Sequence, residues 1–302
     1  MKSKLWLIFA LITTIFWGVW GAFIEITEQA GFPATLGYVV WSMTMIPPSL
    51  IALKLNGWDL DFDRKSLLFG AIIGFLGAGG QLILFKVLGI GPAYIIFPII
   101  ALAPVVTVLL SMIVLRERTR LKGWIGIILA LLAIPLLSWQ PPDNTVVDGY
   151  LWLVLALMVF LAWGIQGFFM KFANESMNAE SIFFYMMLTG LILSPFAIWM
   201  TDFSVEINWG FRGPYLAAMI QVLNAVGALC LVYAYRYGKA IVVAPLTSAV
   251  APVITIVLSL TLYAVFPNTV TLIGMILAMA SVFLLAVVEE SNEKAEELVE
   301  SE

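Results

Sequence analysis

The sequence predicts an all-α integral membrane protein whose ten transmembrane helices form two inverted five-helix repeats. Three observations carry that expectation. The 302 residues are 62% hydrophobic and 11% charged, with a mean hydropathy of +1.04. A soluble domain carries about 25% charged residues, so water is not the main solvent of this chain. Apolar stretches of about 20 residues, the length that crosses a bilayer, recur ten times between short polar links. Finally, segments of the first half recur in order in the second.

The first stretch, 4–24, is too long for a removed signal peptide and has no small-residue cleavage site, so it stands as helix 1. Stretches 34–54, 66–88, 92–115 and 121–138 complete the first five helices. Stretches 149–171, 179–201, 213–235, 240–265 and 269–288 make the second five. None alternates at period two, and hydrocarbon tolerates only helices or closed barrels across it. The expected organisation is a first repeat at 1–138, an outer linker at 139–148, a second repeat at 149–288 and a tail at 289–302. That tail holds seven Glu and one Lys, and reads as a solvated end.

Orientation follows from the basic residues of the short loops. With the N-terminus inside, thirteen Lys and Arg fall on the inner side, and only Lys86 and Arg212 fall outside. The expectation is a multi-pass protein of the cytoplasmic membrane with both termini in the cytoplasm and the lipid bilayer as its surroundings. Trp6, Trp58, Trp124, Trp139 and Trp152 lie near span ends, where indoles anchor at the interface.

Composition excludes several chemistries. There is no His, which removes the commonest general base and metal ligand. Cys230 is alone, so neither an internal disulfide nor a thiolate metal site is possible. Glu25 and Glu28, at the outer end of helix 1, are the only acids left after those of loops, helix starts and tail are set aside. A carboxylate at mid-membrane, where proton relays place one, is therefore not expected. No enzyme activity, cofactor or metal is expected, and without a basic face nucleic acid is not a partner.

The duplication is legible residue by residue. Trp17-Gly18-Val19-Trp20-Gly21-Ala22-Phe23 matches Trp163-Gly164-Ile165-Gln166-Gly167-Phe168-Phe169. Ala101-Leu102-Ala103-Pro104-Val105-Val106-Thr107 matches Ala249-Val250-Ala251-Pro252-Val253-Ile254-Thr255. Ile125-Gly126-Ile127-Ile128-Leu129-Ala130 matches Ile273-Gly274-Met275-Ile276-Leu277-Ala278. Five helices per half is an odd number, so the second half enters the membrane from the opposite side. Inverted repeats are an architecture from which secondary transporters build alternating access.

With these motifs, and with Arg116-Glu117-Arg118 after helix 4, the chain resembles the EamA-type branch of the drug/metabolite transporter superfamily over about residues 4–288. The resemblance implies a helical bundle with a substrate cavity between its halves, moving small metabolites or drugs across the cytoplasmic membrane. The sequence departs from that pattern at the end of helix 9, where Tyr263-Ala264-Val265-Phe266-Pro267 replaces the Gly-Glu-Arg-like segment, so that feature is present in one half only.

Three groups of residues are candidates for the site. Pro98 and Pro104 in helix 4, and Pro245 and Pro252 in helix 9, each free the carbonyl four residues earlier. In a membrane such carbonyls need protein or cavity water, so these positions are candidate helix breaks and gates, with simple packing kinks as the alternative. Gln81, Gln166, Asn224 and Thr247 place polar groups inside spans. An amide facing lipid loses its hydrogen bonds at about 2–7 kcal/mol, so each faces another helix or a cavity. Trp17, Trp20, Tyr38, Trp41, Tyr94, Trp163, Tyr233 and Tyr235 offer apolar area with one polar handle. They suit a small-molecule substrate, with core packing as the alternative reading of each. Trp20 and Gln166 occupy equivalent places in the two halves, an asymmetry that an asymmetric substrate needs. The functional expectation is alternating-access transport of a small neutral, zwitterionic or weakly anionic metabolite. The alternatives are a broad exporter of apolar or aromatic compounds and a non-transporting structural membrane protein.

Overall fold

The computed structural model describes residues 4–88, 90, 93–137, 139, 149–263, 267–281 and 283–284. Most of the linker expected at 139–148, and the whole tail at 289–302, lie outside the described residues. The side chains of Tyr94 and Pro98 also lie outside them.

Every regular element among the described residues is a helix. Its elements are α1 (Leu5–Gln29), α2 (Ala34–Thr44), α3 (Ile46–Leu55), α4 (Arg64–Leu88), α5 (Ala93–Ala101) and α6 (Ala103–Val114). They continue as α7 (Leu121–Leu137), α8 (Leu151–Ala173), α9 (Ala179–Trp199), α10 (Leu216–Tyr237), α11 (Ala240–Tyr263) and α12 (Thr269–Ser281). Seven helical stretches among the described residues are long and apolar enough to cross a membrane: Leu5–Gln29, Ala34–Leu55, Arg64–Val87, Leu151–Ala173, Ala179–Trp199, Phe211–Tyr237 and Ala240–Leu258. Ile99–Val114, Leu121–Leu137 and Thr269–Ser281 are shorter apolar helices. Large apolar side chains such as Ile8, Leu11 and Ile15 on α1, or Ile192 and Phe196 on α9, face outward. A surface of this kind belongs against lipid rather than water. This is a multi-pass integral membrane protein.

Proline sets the interruptions. Met45 separates α2 from α3, and Pro47 and Pro48 lie in the first turn of α3, where a helix leaves its own N–H groups unpaired in any case. Leu102, with φ −78° and ψ 1°, separates α5 from α6, whose first turn holds Pro104. The second half behaves differently, because Pro245 and Pro252 both lie inside the uninterrupted α11. The symmetric pair of helix breaks expected from the four prolines is therefore found on one side only, at Pro104. The span expected at 34–54 carries a break that proline spacing in helices 4 and 9 did not announce.

The main interfaces join the two halves of the sequence. α1 lies along α10 and α11, and α8 lies along α4 and α6; α2 packs on α9, and α7 and α6 pack on α11. The halves therefore interleave instead of forming two separate bundles. Trp6 corrects an expectation here. It is 5% exposed and belongs to the main core with Ala10, Ala234 and Ile241, so it packs inside the protein and is not an interfacial anchor. Trp58, at 59% exposed, and Trp139, at 38%, remain at the surface.

The end of the bundle that carries Lys54, Arg116 and Lys239 is tied by polar contacts. Both carboxylate oxygens of Glu117 accept hydrogen bonds from the first backbone amides of α11, Ala240 N at 3.1 Å and Ile241 N at 3.0 Å. A carboxylate at a helix N-terminus satisfies otherwise unpaired donors and opposes the positive end of the helix dipole. Lys171 donates to the Tyr235 carbonyl, Asn174 to that of Val232, and Arg236 to that of Met177.

Candidate substrate cavity

A cavity of about 570 Å³ lies where α1, α4, α6, α8, α10 and α11 converge, with single contributions from neighbours such as Trp41 of α2 and Met186 of α9. Its size falls within the range of small-molecule sites, about 300–1,000 Å³. Small residues line it, among them Gly21, Gly74, Gly77, Ala78, Gly167, Ala228 and Ala244, and the glycines admit close neighbours such as Thr255 against Gly21 and Gln166 against Gly77. Its walls are the rings of Trp17, Trp20, Trp41, Trp163 and Tyr235.

The four indoles are held in place by their own N–H groups. Trp17 Nε1 donates to the Asn224 carbonyl at 3.2 Å, and Trp163 Nε1 to the Gly77 carbonyl at 3.3 Å. Trp20 Nε1 donates to Gln221 Oε1 at 2.9 Å, and Trp41 Nε1 to Asn224 Oδ1 at 2.8 Å. Each ring thus presents apolar surface to the cavity while its donor is used by a neighbouring helix. A buried indole usually finds such a partner.

Close helix approach makes this possible, and it recurs in both halves. Thr255 Oγ1 donates to the Gly18 carbonyl at 2.9 Å, and Thr107 Oγ1 donates to the Gly164 carbonyl at 2.8 Å. A Cβ on Gly18 would meet Ile254 and the Ala251 carbonyl; one on Gly164 would meet Val106 and the Ala103 carbonyl. Gly227 lies under the Trp17 ring, and Gly80 under the Trp163 ring. Each of these contacts has a counterpart in the other half, and for Gly18, Gly164, Thr107, Thr255, Trp17 and Trp163 the sequence repeat makes the residues equivalent.

Of the candidate residues, Trp17, Trp20, Trp41, Gln81, Trp163, Gln166, Asn224, Tyr235, Thr247, Pro104 and Pro252 all line this one cavity. Tyr38, Tyr233 and Pro245 do not. Tyr38 is 2% exposed and packs behind Trp41, ring centroids 5.2 Å apart. The Tyr233 hydroxyl donates to Glu180 at 2.5 Å and its ring stacks on Phe9, away from the cavity. Pro245 is buried in α11. Thr247 reaches the wall but donates to the Val243 carbonyl of its own helix at 2.8 Å. Sequence reasoning did not single out Gly74, Gly77, Ala78, Thr107 or Thr255 as lining residues. The glycine spacing in helix 3 and the recurrence of both threonines in the repeat were the available signals.

Among the described residues the lining contains no Asp, Glu, Lys or Arg, and no group of His, Cys, Asp or Glu there could hold a metal ion. The cavity can offer ring faces, amides and hydroxyls, and no formal charge.

The sequence profile of the EamA-like transporter family matches residues 4–139 and again 150–287. The chain belongs to the EamA-like transporter family. An uncharacterized protein of Methanocaldococcus jannaschii is 33% identical over 132 residues, which cover 44% of this chain and 95% of that protein. A crystal structure of another protein shares the fold, with a TM-score of 0.73 at 18% identity over 94% of this chain and 98% of the other. EamA-like proteins are transporters, which places this chain among membrane transport proteins rather than enzymes.

Proposed function

We propose that this EamA-like protein is a secondary transporter that moves a small, net-neutral metabolite across the cytoplasmic membrane by alternating access. In this reading ten spans form two inverted five-helix repeats, 1–138 and 149–288, with both termini in the cytoplasm. The observation that carries the proposal is the pairing of contacts around the cavity. Trp17 with Asn224 matches Trp163 with Gly77, and Thr255 with Gly18 matches Thr107 with Gly164. Two sets of equivalent contacts around one cavity give the protein two related ways to close it, as alternation requires. The archaeal relative supports the repeat as a unit, because its matched length is close to that of one half.

The asymmetries have a place in this scheme. Glu117 caps α11 at one end of the bundle, while the corresponding segment after helix 9 has no acid. The bend at Leu102 lets α6 stay against α11 while α5 packs on α7 and α8. The cavity-lining aromatics also favour a broad exporter of aromatic compounds as a second reading.

Counterflow of labelled solutes in proteoliposomes tests the proposal, with saturable exchange of at least one member of a metabolite panel as the expected result. Absence of flux across the whole panel would support the structural alternative. Topology is tested separately by labelling Leu55→Cys and Val205→Cys, both at exposed positions, in a Cys230→Ala background. Labelling from opposite sides is expected, and labelling from one side would remove the inverted repeat.

A further inference from the structure

We infer that the transported solute is an uncharged planar heteroaromatic that carries a hydrogen-bond donor beside an acceptor, as nucleobases and heteroaromatic carboxamides do. The inference rests on the transport reading above and narrows its substrate class.

It starts from which polar groups of the cavity are already used. All four indole N–H groups are spent on protein acceptors, so the tryptophans cannot read a ligand's acceptors and act through their faces alone. Thr107, Thr247 and Thr255 spend their hydroxyls on helix carbonyls. Among the described residues, no partner is found for the amides of Gln81 and Gln166, for Asn224 Nδ2 or for the Tyr235 hydroxyl, all in the cavity lining. Each glutamine amide presents two donors and an acceptor, and the hydroxyl one donor and an acceptor.

Both glutamines line the α4 side of the cavity. The Gln166 amide lies directly over Gly77, where a Cβ would strike it, and Gln81 follows one turn further along α4. Two primary amides lining one cavity suit a ligand edge that also alternates donor and acceptor. A carboxylate gives acceptors only and an ammonium donors only, so either leaves half of these groups unpaired, which is the arrangement that discriminates most strongly between ligands. An ion would also enter a cavity without a countercharge, at a large desolvation cost. The indole faces then select flat rings, because stacking rewards a planar partner.

Nicotinamide and nicotinate separate these alternatives, since they share a ring and differ in an amide against a carboxylate. Calorimetric titration of the purified protein with adenine, uracil and nicotinamide is expected to give saturable binding, at least ten times tighter for nicotinamide than for nicotinate or for zwitterionic phenylalanine. Counterflow of labelled uracil, against protein-free liposomes as blank, is expected to show the same order of competition. Gln166→Leu and Gln81→Leu should each weaken nicotinamide binding at least tenfold; the wild-type comparison stands by itself if either variant fails to fold. Nicotinate or phenylalanine bound as tightly as nicotinamide would overturn the inference, as would binding that ignores both glutamine substitutions. Exchange of other panel solutes without binding of these three would remove the substrate class and leave the transport reading standing. No exchange of any solute would remove both.

Discussion

Gly164→Ala is the sharpest probe of the interleaved packing. A Cβ at this position would lie 2.5 Å from Val106 Cβ and 2.6 Å from the Ala103 carbonyl oxygen. Ordinary contact between carbons is about 3.5–4.0 Å, so α8 and α6 must separate by about 1 Å. Neither neighbour can turn away, since one atom is backbone and the other is bonded directly to it. Overpacking of this kind costs about 1–3 kcal/mol. The same separation breaks the 2.8 Å hydrogen bond from Thr107 to the Gly164 carbonyl, worth about 0.6 kcal/mol or more in a membrane protein. A loss of about 2–4 kcal/mol relative to a glycine-to-alanine change at an open helix position is therefore expected. Gly18→Ala should cost a similar amount, because its Cβ would come 2.5 Å from Ile254 Cβ and 2.9 Å from the Ala251 carbonyl. Gly79→Ala is the control. Nothing lies within 4 Å of a Cβ there, and alanine gains up to about 1 kcal/mol of helix propensity. Unfolding in mixed micelles of rising SDS content, followed by tryptophan fluorescence, measures all three. If Gly164→Ala unfolds at the same SDS fraction as Gly79→Ala, the close approach of α8 to α6 is refuted.

Three further outcomes follow from other parts of the molecule. Thr107→Val and Thr255→Val keep shape and remove one interhelical hydrogen bond each; both should lose about 0.6–1.7 kcal/mol in the same unfolding assay, and a loss in one half alone would argue against equivalent contacts. Pro104→Ala should lower exchange flux in proteoliposomes while insertion and yield stay unchanged, because it lets α5 run on into α6; Pro252→Ala, inside an uninterrupted helix, should change flux less. Asp63, at the start of α4, is held below the usual carboxylate range first by a hydrogen bond from the Ser66 hydroxyl. A depressed pKa stabilises the fold at neutral pH, and that stabilisation is lost as pH falls through the folded-state value. Thermal midpoints should therefore fall with acidification more steeply in wild type than in Asp63→Asn.

The residues of the cavity divide by how each could be recognised. Trp17, Trp163, Gln81, Gln166 and Asn224 stood out because a polar or aromatic group inside an apolar run needs a partner. Gly74, Gly77 and Ala78 did not, because their contribution is a missing side chain, which gains meaning only once Thr189 of α9 lies across Gly74 and Gln166 of α8 across Gly77. Tyr38, Tyr233 and Tyr235 look alike in the sequence, yet one packs behind Trp41, one pairs with Glu180 and one lines the cavity.

What the chain of residues determined unaided was its solvent, its all-helical class and its duplication. Each is set by local quantities: apolar length against bilayer thickness, the periodicity of the run, and the repetition of short motifs. Tertiary structure alone decided that the halves interleave, that Trp6 is core, that only the first half breaks at its proline, and which amides are left unspent. The physical reason is that a membrane helix is apolar all round. Its sequence therefore carries little record of which side meets lipid and which meets protein. That assignment rests on close packing and a handful of hydrogen bonds between helices far apart in the chain.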